Sequence, residues 1–66
     1  MDYIVIYKSN NKCGYRPQMF KEWTIGTKIN CNGEMCEIID IVHNDWLGIK
    51  IANQKLAEIR KEWRNN

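Results

Sequence analysis

Apolar and polar residues fall into short blocks with β periodicity over most of this chain, and into a helical period only at its end. Asp2-Tyr-Ile-Val-Ile-Tyr7 is a β-branched and aromatic run. It reads as a strand with Tyr3, Val5 and Tyr7 on one face and Ile4 and Ile6 on the other. Apolar residues on both faces place that strand inside a sheet. Residues 9–14 read as a loop. Tyr15 to Trp23 contains Pro17, which lacks an N–H, and reads as extended or edge structure, with a helical turn of Met19, Phe20 and Trp23 as the alternative. A turn around Gly26 follows.

The stretch from Gly26 to Ala52 then carries two turn signals, Asn32-Gly33 and Asn44-Asp45, between apolar runs. Asn-Gly suits the two positive φ angles of a type I′ hairpin. This predicts Cys31 opposite Glu34, Asn30 opposite Met35 and Ile29 opposite Cys36. A second hairpin at Asn44-Asp45 would set His43 against Trp46, Val42 against Leu47, Asp40 against Ile49 and Ile38 against Ile51. The better core face of that meander is Cys36, Ile38, Val42, Leu47, Ile49 and Ile51. The opposite face, with Ile39, Ile41 and Trp46, is also apolar, so a bend or bulge near Ile39-Asp40 is expected. Behind an N-cap at Asn53, residues Leu56, Ile59 and Trp63 recur at helical spacing and predict one C-terminal helix.

These elements predict an α+β, mainly β domain: a small antiparallel barrel or curved sheet of about five strands with one helix. The strand count, the glycine before a strand and the successive hairpins resemble SH3-like barrels in pattern. That architecture hosts unrelated functions, so the resemblance implies a fold and no activity.

The chain has 66 residues and reads as a single domain over 1–66, with 65–66 frayed. Below ~70–80 residues a core rarely supplies more than ~3–5 kcal/mol, so support is expected from the helix, a partner or a second copy. No apolar run is long enough for a membrane span and the start lacks a signal-peptide pattern, which predicts a cytoplasmic protein. Three cysteines are an odd set, and in the predicted register Cys31 and Cys36 are diagonal neighbours roughly 7–8 Å apart, too far for an ordinary disulfide. Buried free thiols are the expectation.

Charge is distributed unevenly. Residues 1–28 carry a net +3, residues 29–49 carry Glu34, Glu37, Asp40 and Asp45 with no Lys or Arg, and residues 50–66 carry +3. Acidic hairpins between basic flanks, with Trp46 as an aromatic anchor, point to docking on a basic protein surface, for instance the groove of a nucleic-acid-binding enzyme. Small proteins of phages and other mobile elements often act by such occlusion, and the Asn-, Ile- and Lys-rich composition fits an A·T-rich coding source. The expected function is therefore a non-catalytic inhibitor of a host nucleic-acid-handling defence protein, binding through Glu34, Glu37, Asp40, Asp45 and Trp46. The alternative is a nucleic-acid-binding barrel using Lys8, Lys12, Arg16, Lys21, Tyr15 and Trp23, where basic and aromatic residues interleave.

Other chemistry has thin support. Cys13, Cys31, Cys36 and His43 have the spacing C-x17-C-x4-C-x6-H, which lacks the paired C-x2–4-C units of structural zinc sites. His43 is the only histidine and Ser9 the only serine. No cofactor, metal or catalytic residue is expected.

Overall fold

The structure is a computed structural model that describes residues 2–18 and 23–65, with the side chain of Asn65 excepted. The elements are β1 (Tyr3–Lys8), β2 (Cys13–Pro17), β3 (Lys28–Cys31), β4 (Glu34–His43) and α1 (Trp46–Asn65). The four strands form one antiparallel sheet in the order β2-β1-β4-β3. Among the described residues the sheet is open, with β2 and β3 at its edges, and it is not a closed five-stranded barrel. Pro17 ends the edge strand β2, where a missing N–H costs nothing. Of the segment expected to be extended, residues 19–22 lie outside the described residues, as does Asn66 at the end expected to fray.

The first hairpin forms in the expected register. Cys31 pairs with Glu34, Asn30 with Met35 and Ile29 with Cys36. Asn32 and Gly33 take φ angles of 54° and 87°, the left-handed pair that a type I′ turn requires. The Asn30 side chain accepts the Gly33 N–H at 2.8 Å, which closes the turn.

The second hairpin does not form. Asn44-Asp45 leads into a helix, and the expected fifth strand over 46–51 is its first two turns. The physical reason lies at Asp45. Its carboxylate accepts the Gly48 N–H at 2.7 Å while its carbonyl accepts the Ile49 N–H at 2.9 Å. This is an N-cap, and Asp serves that role as readily as it serves a turn. Asn53, the cap expected from sequence, lies inside the helix.

The bulge appears where two apolar faces demanded it. Ile6 pairs with Asp40 and Tyr7 with Ile38, so Ile39 is the extra residue. The slip divides the core into two layers. On one face, Ile4 and Ile6 pack with Ala52, Leu56 and Ile59 of α1, joined by Cys13, Ile39 and Val42. On the other, Val5, Ile29, Cys31, Cys36 and Ile38 pack together, joined by Tyr7, Trp23 and Ile41. Leu47, Ile49 and Ile51, expected in the core, are exposed. No described helix is long and apolar enough to cross a membrane.

Candidate functional site

The two sets of residues marked out by charge can now be placed. Of the acidic set, Glu34 accepts a hydrogen bond from the Asn11 side chain at 3.0 Å and lies 3.9 Å from the Lys12 ammonium. Lys12 also donates to the Cys31 carbonyl at 3.1 Å. Glu37 pairs with Lys28 at 2.8 Å. That bond, with the more distant charge of Lys8, holds its carboxyl below the usual range. Asp40 reaches Lys55 of α1 at 3.3 Å, and Asp45 caps the helix. Three carboxylates of the acidic block therefore face lysines supplied by the basic flanks. The charge segregation in the sequence is in large part complementarity within the fold.

Asp40 has a second task. Asn44 donates its N–H to the carbonyl of Asp2. By antiparallel alternation, Val42 and Asp40 also turn their backbone groups toward β1, and Ile41 and His43 turn theirs outward. The β3 ladder stops at Lys28–Glu37 and Ile38 still exchanges backbone bonds with Thr27 and Gly26; beyond it, no strand among the described residues pairs with this edge of β4. The Asp40 carboxylate accepts the Ile41 N–H at 2.9 Å. A charged side chain folded onto a free edge blocks pairing with another chain.

Trp46 is the most exposed large apolar side chain among the described residues, at 76%. The Lys50 ammonium lies 5.2 Å from its ring centroid, a contact that leaves most of the indole open. Leu47, Ile49 and Ile51 are exposed beside it. In residues 46–54 the only charged side chain is Lys50, so the first half of α1 presents an apolar surface with one cation. The sequence marks Trp46 as a candidate anchor but assigns Leu47, Ile49 and Ile51 to a core face, and all four are exposed. The missed signal was a good N-cap in front of a run apolar on all sides, which a strand and a helix share.

The described members of the basic set do not share one face. Tyr15 pairs with Ile6 and Lys8 with Cys13, which places both on the helix side of the sheet. Arg16 lies on the opposite side, with its guanidinium 5.6 Å from the Trp23 ring centroid and 3.8 Å from the Cys31 sulfur. Lys12 sits in the β1–β2 turn and Lys21 lies outside the described residues. A polar cleft of about 420 Å³ lies beside Lys8, Lys28, Glu37 and Trp63, but its charges largely answer each other.

The remaining reactive groups are also dispersed. Cys13 packs under the helix, Cys31 and Cys36 lie on the other face, and all three are free thiols. Burial is the main cause that pushes the Cys36 thiol up, with Cys31 beside it adding to the shift. Burial likewise raises the Tyr7 phenol. His43, expected opposite Trp46, packs instead on the Tyr3 ring with centroids 5.0 Å apart. Ser9 follows the far end of β1, a strand length of roughly 17–20 Å from His43, and its hydroxyl accepts the N–H groups of Asn11 and Lys12. No group of three or more His, Cys, Asp or Glu among the described residues is arranged to hold a metal ion. No family model, curated protein or solved structure matches the chain.

Proposed function

We propose that this protein is a small non-catalytic binding module that acts by occupying a partner protein, anchored by Trp46 and the apolar first half of α1. The observation that carries the reading is the 76% exposure of Trp46 among exposed Leu47, Ile49 and Ile51. A large, desolvatable aromatic with apolar neighbours is the usual centre of a protein interface. The absence of a convergent nucleophile, base and orienting group among the described residues favours binding over catalysis.

The concrete form is an inhibitor that covers a surface on a host nucleic-acid-handling protein. Asp45, next to Trp46, and the acidic β3–β4 hairpin would give such a contact its preference for basic partners. Glu34, Glu37 and Asp40 already have lysine partners, so the apolar anchor supplies most of the affinity and the carboxylates mainly tune it.

The test is capture from a host lysate with and without nuclease treatment. The expected result is one protein retained by the wild type and by Glu34→Gln, and lost with Trp46→Ala. Trp46 is exposed enough that its removal leaves the core intact, which circular dichroism will check. Recovery of nuclease-sensitive material alone, or retention of the same protein by a folded Trp46→Ala variant, would refute the reading.

A further inference from the structure

A second recognition feature lies on the other face of the sheet. A slot of about 180 Å³ is lined by Tyr3, Gln18, Trp23, Thr24 and Ile41. We propose that this slot takes one unstacked nucleobase between Tyr3 and Trp23. The inference does not rest on the α1 surface.

Two aromatic, one aliphatic and two polar side chains line the slot. Tyr3 is 42% exposed, Trp23 is half-buried, and Ile41 contributes aliphatic surface from β4. Both rings are held before any ligand arrives. Tyr3 packs against His43. Trp23 lies under the Arg16 guanidinium, and its carbonyl accepts the Gln18 side-chain N–H at 3.0 Å. The Gln18 backbone N–H in turn donates to the Tyr3 carbonyl at 3.1 Å, which ties the two walls together. Rings fixed in this way lose little conformational entropy on binding.

The choice of ligand follows from the polar groups. An aromatic side chain such as phenylalanine would use the walls and leave the polar side chains unanswered. A nucleobase has both a π-face and a hydrogen-bonding edge. The Gln18 amide donates one N–H to Trp23, and its carbonyl oxygen and second N–H have no partner among the described residues; Thr24, whose hydroxyl lies 3.2 Å from that of Thr27, lines the same slot. Arg16 sits against the Trp23 wall, where its remaining N–H groups can meet a phosphate attached to the base. Stacking on aromatic rings with an arginine nearby is how single strands are held without sequence readout. The base can belong to a free mononucleotide or to a single strand.

The experiment follows the indole N–H signals of the three tryptophans by heteronuclear NMR. The probes are adenosine and uridine monophosphates and, separately, short oligo(dT) and oligo(A) strands. Saturable movement of the Trp23 indole and the Gln18 side-chain amide is expected, with the Trp46 and Trp63 indoles unmoved. Response to mononucleotides identifies a free-nucleotide site, and response to oligonucleotides alone identifies one base of a strand. Tyr3→Ala should weaken binding by about 5- to 140-fold, the range set by one base–aromatic stack, and Tyr3→Phe should retain it. The proposal is overturned if Trp23 is unmoved by every probe. It is equally overturned if the shifts fall on Trp46 or Trp63, or if a folded Tyr3→Ala variant binds as tightly as the wild type. Failure of the wild type to capture a lysate protein, with intact nucleotide binding, would count against the α1 reading alone.

Discussion

Gly48→Ala tests the helix start most directly. At an exposed interior helix position, replacing Gly by Ala stabilises by ~0.8–1 kcal/mol. The opposite is expected here. Gly48 is buried in the first turn of α1, and a β-carbon there would fall well inside contact distance of the His43 carbonyl oxygen. It would also sit 2.9 Å from the His43 carbonyl carbon and 3.2 Å from the Asp45 carboxylate that caps the helix. The obstructing group is backbone, part of the last residue of β4, and has no rotamer to change. Relief requires the first turn to lift from the sheet. Overpacking of this kind costs ~1–3 kcal/mol, and a strained or broken Asp45 cap adds ~1 kcal/mol. After subtracting the propensity gain, the net destabilisation is about 1–3 kcal/mol. In a domain of this size that is a large share of the ~3–5 kcal/mol expected in total. Urea unfolding followed by circular dichroism reads it as a midpoint lowered by about 1–3 M, with a slope near 1 kcal/mol/M. Ala57→Gly, at an exposed position of the same helix, is the control and should cost about 1 kcal/mol. A Gly48→Ala protein as stable as the wild type, or more stable, would show that the helix does not press on His43.

Two further outcomes follow from the core and the sheet edge. Asp40→Ala removes both the Lys55 pair and the acceptor for the Ile41 N–H. The pair is part-exposed and worth ~0–1 kcal/mol, and the lost hydrogen bond ~0.5–1.5 kcal/mol. A total loss of about 1–2 kcal/mol is expected in urea unfolding, with new self-association by size-exclusion chromatography as the bare edge becomes available. Asp40→Asn, which keeps an acceptor, should remain monodisperse if the wild type is. Burial raises the folded pKa of the Cys36 thiol above its ordinary 9.0. Its contribution is therefore fully present below pH 9.0 and is lost as pH rises through the higher folded value, because the unfolded thiol ionises first. Tyr7, raised from 10.0, adds to the loss at higher pH. Thermal unfolding across alkaline pH should show the decline, and Cys36→Ala should flatten its lower part. An unchanged slope in that variant would remove Cys36 as the cause.

Different parts of this fold were legible in the sequence for different reasons. The β3–β4 hairpin was readable because Asn32-Gly33 encodes two positive φ angles locally, and nothing distant has to agree. The bulge at Ile39 was readable because β4 is apolar on both faces, which a regular strand cannot bury on one side. The stripe Leu56, Ile59 and Trp63 revealed the helix, and the first two contribute as expected or nearly so, with Leu56 and Ile59 buried and Trp63 at the margin. The start of the helix was not readable. Asn44-Asp45 suits a turn and an N-cap equally, and Leu-Gly-Ile-Lys-Ile alternates as a strand would. The deciding fact is tertiary: β1 is apolar on both faces, and Ile4 and Ile6 need a second layer above them. The helix supplies that layer and must begin at once after His43 to reach them. Charge misled for a related reason. Composition counts Glu34, Glu37 and Asp40 as one acidic block. The fold sets each against a lysine 22, 9 or 15 residues away, at Lys12, Lys28 and Lys55.

The same topology explains why Trp46 with its apolar neighbours and the Tyr3–Trp23 slot lie exposed at one end. The strand pairing of β2 with β1 ends at Pro17–Ile4 and that of β3 with β4 at Lys28–Glu37, with backbone bonds from Gln18 to Tyr3 and from Gly26 and Thr27 to Ile38 just beyond. Among the described residues, only two paired strands remain at Tyr3–His43. A helix resting on so narrow a ribbon can bury one line of residues, and at its start that line is Gly48 and Ala52. Trp46, Leu47, Ile49 and Ile51 project past it. On the reverse face the same narrowness leaves Tyr3 and His43 uncovered beside Trp23. Fully covering a large apolar side chain is worth ~1.5–3 kcal/mol, so a domain with little stability to spare leaves several such increments unused at this one end. A partner that covers Trp46 and Leu47 would recover part of that energy as affinity. Widening the end by extending β3 along the bare β4 edge would bury some of it internally, so such a variant should gain stability and lose partner binding together. Gain of stability with binding intact would show that the α1 surface is not where the partner sits.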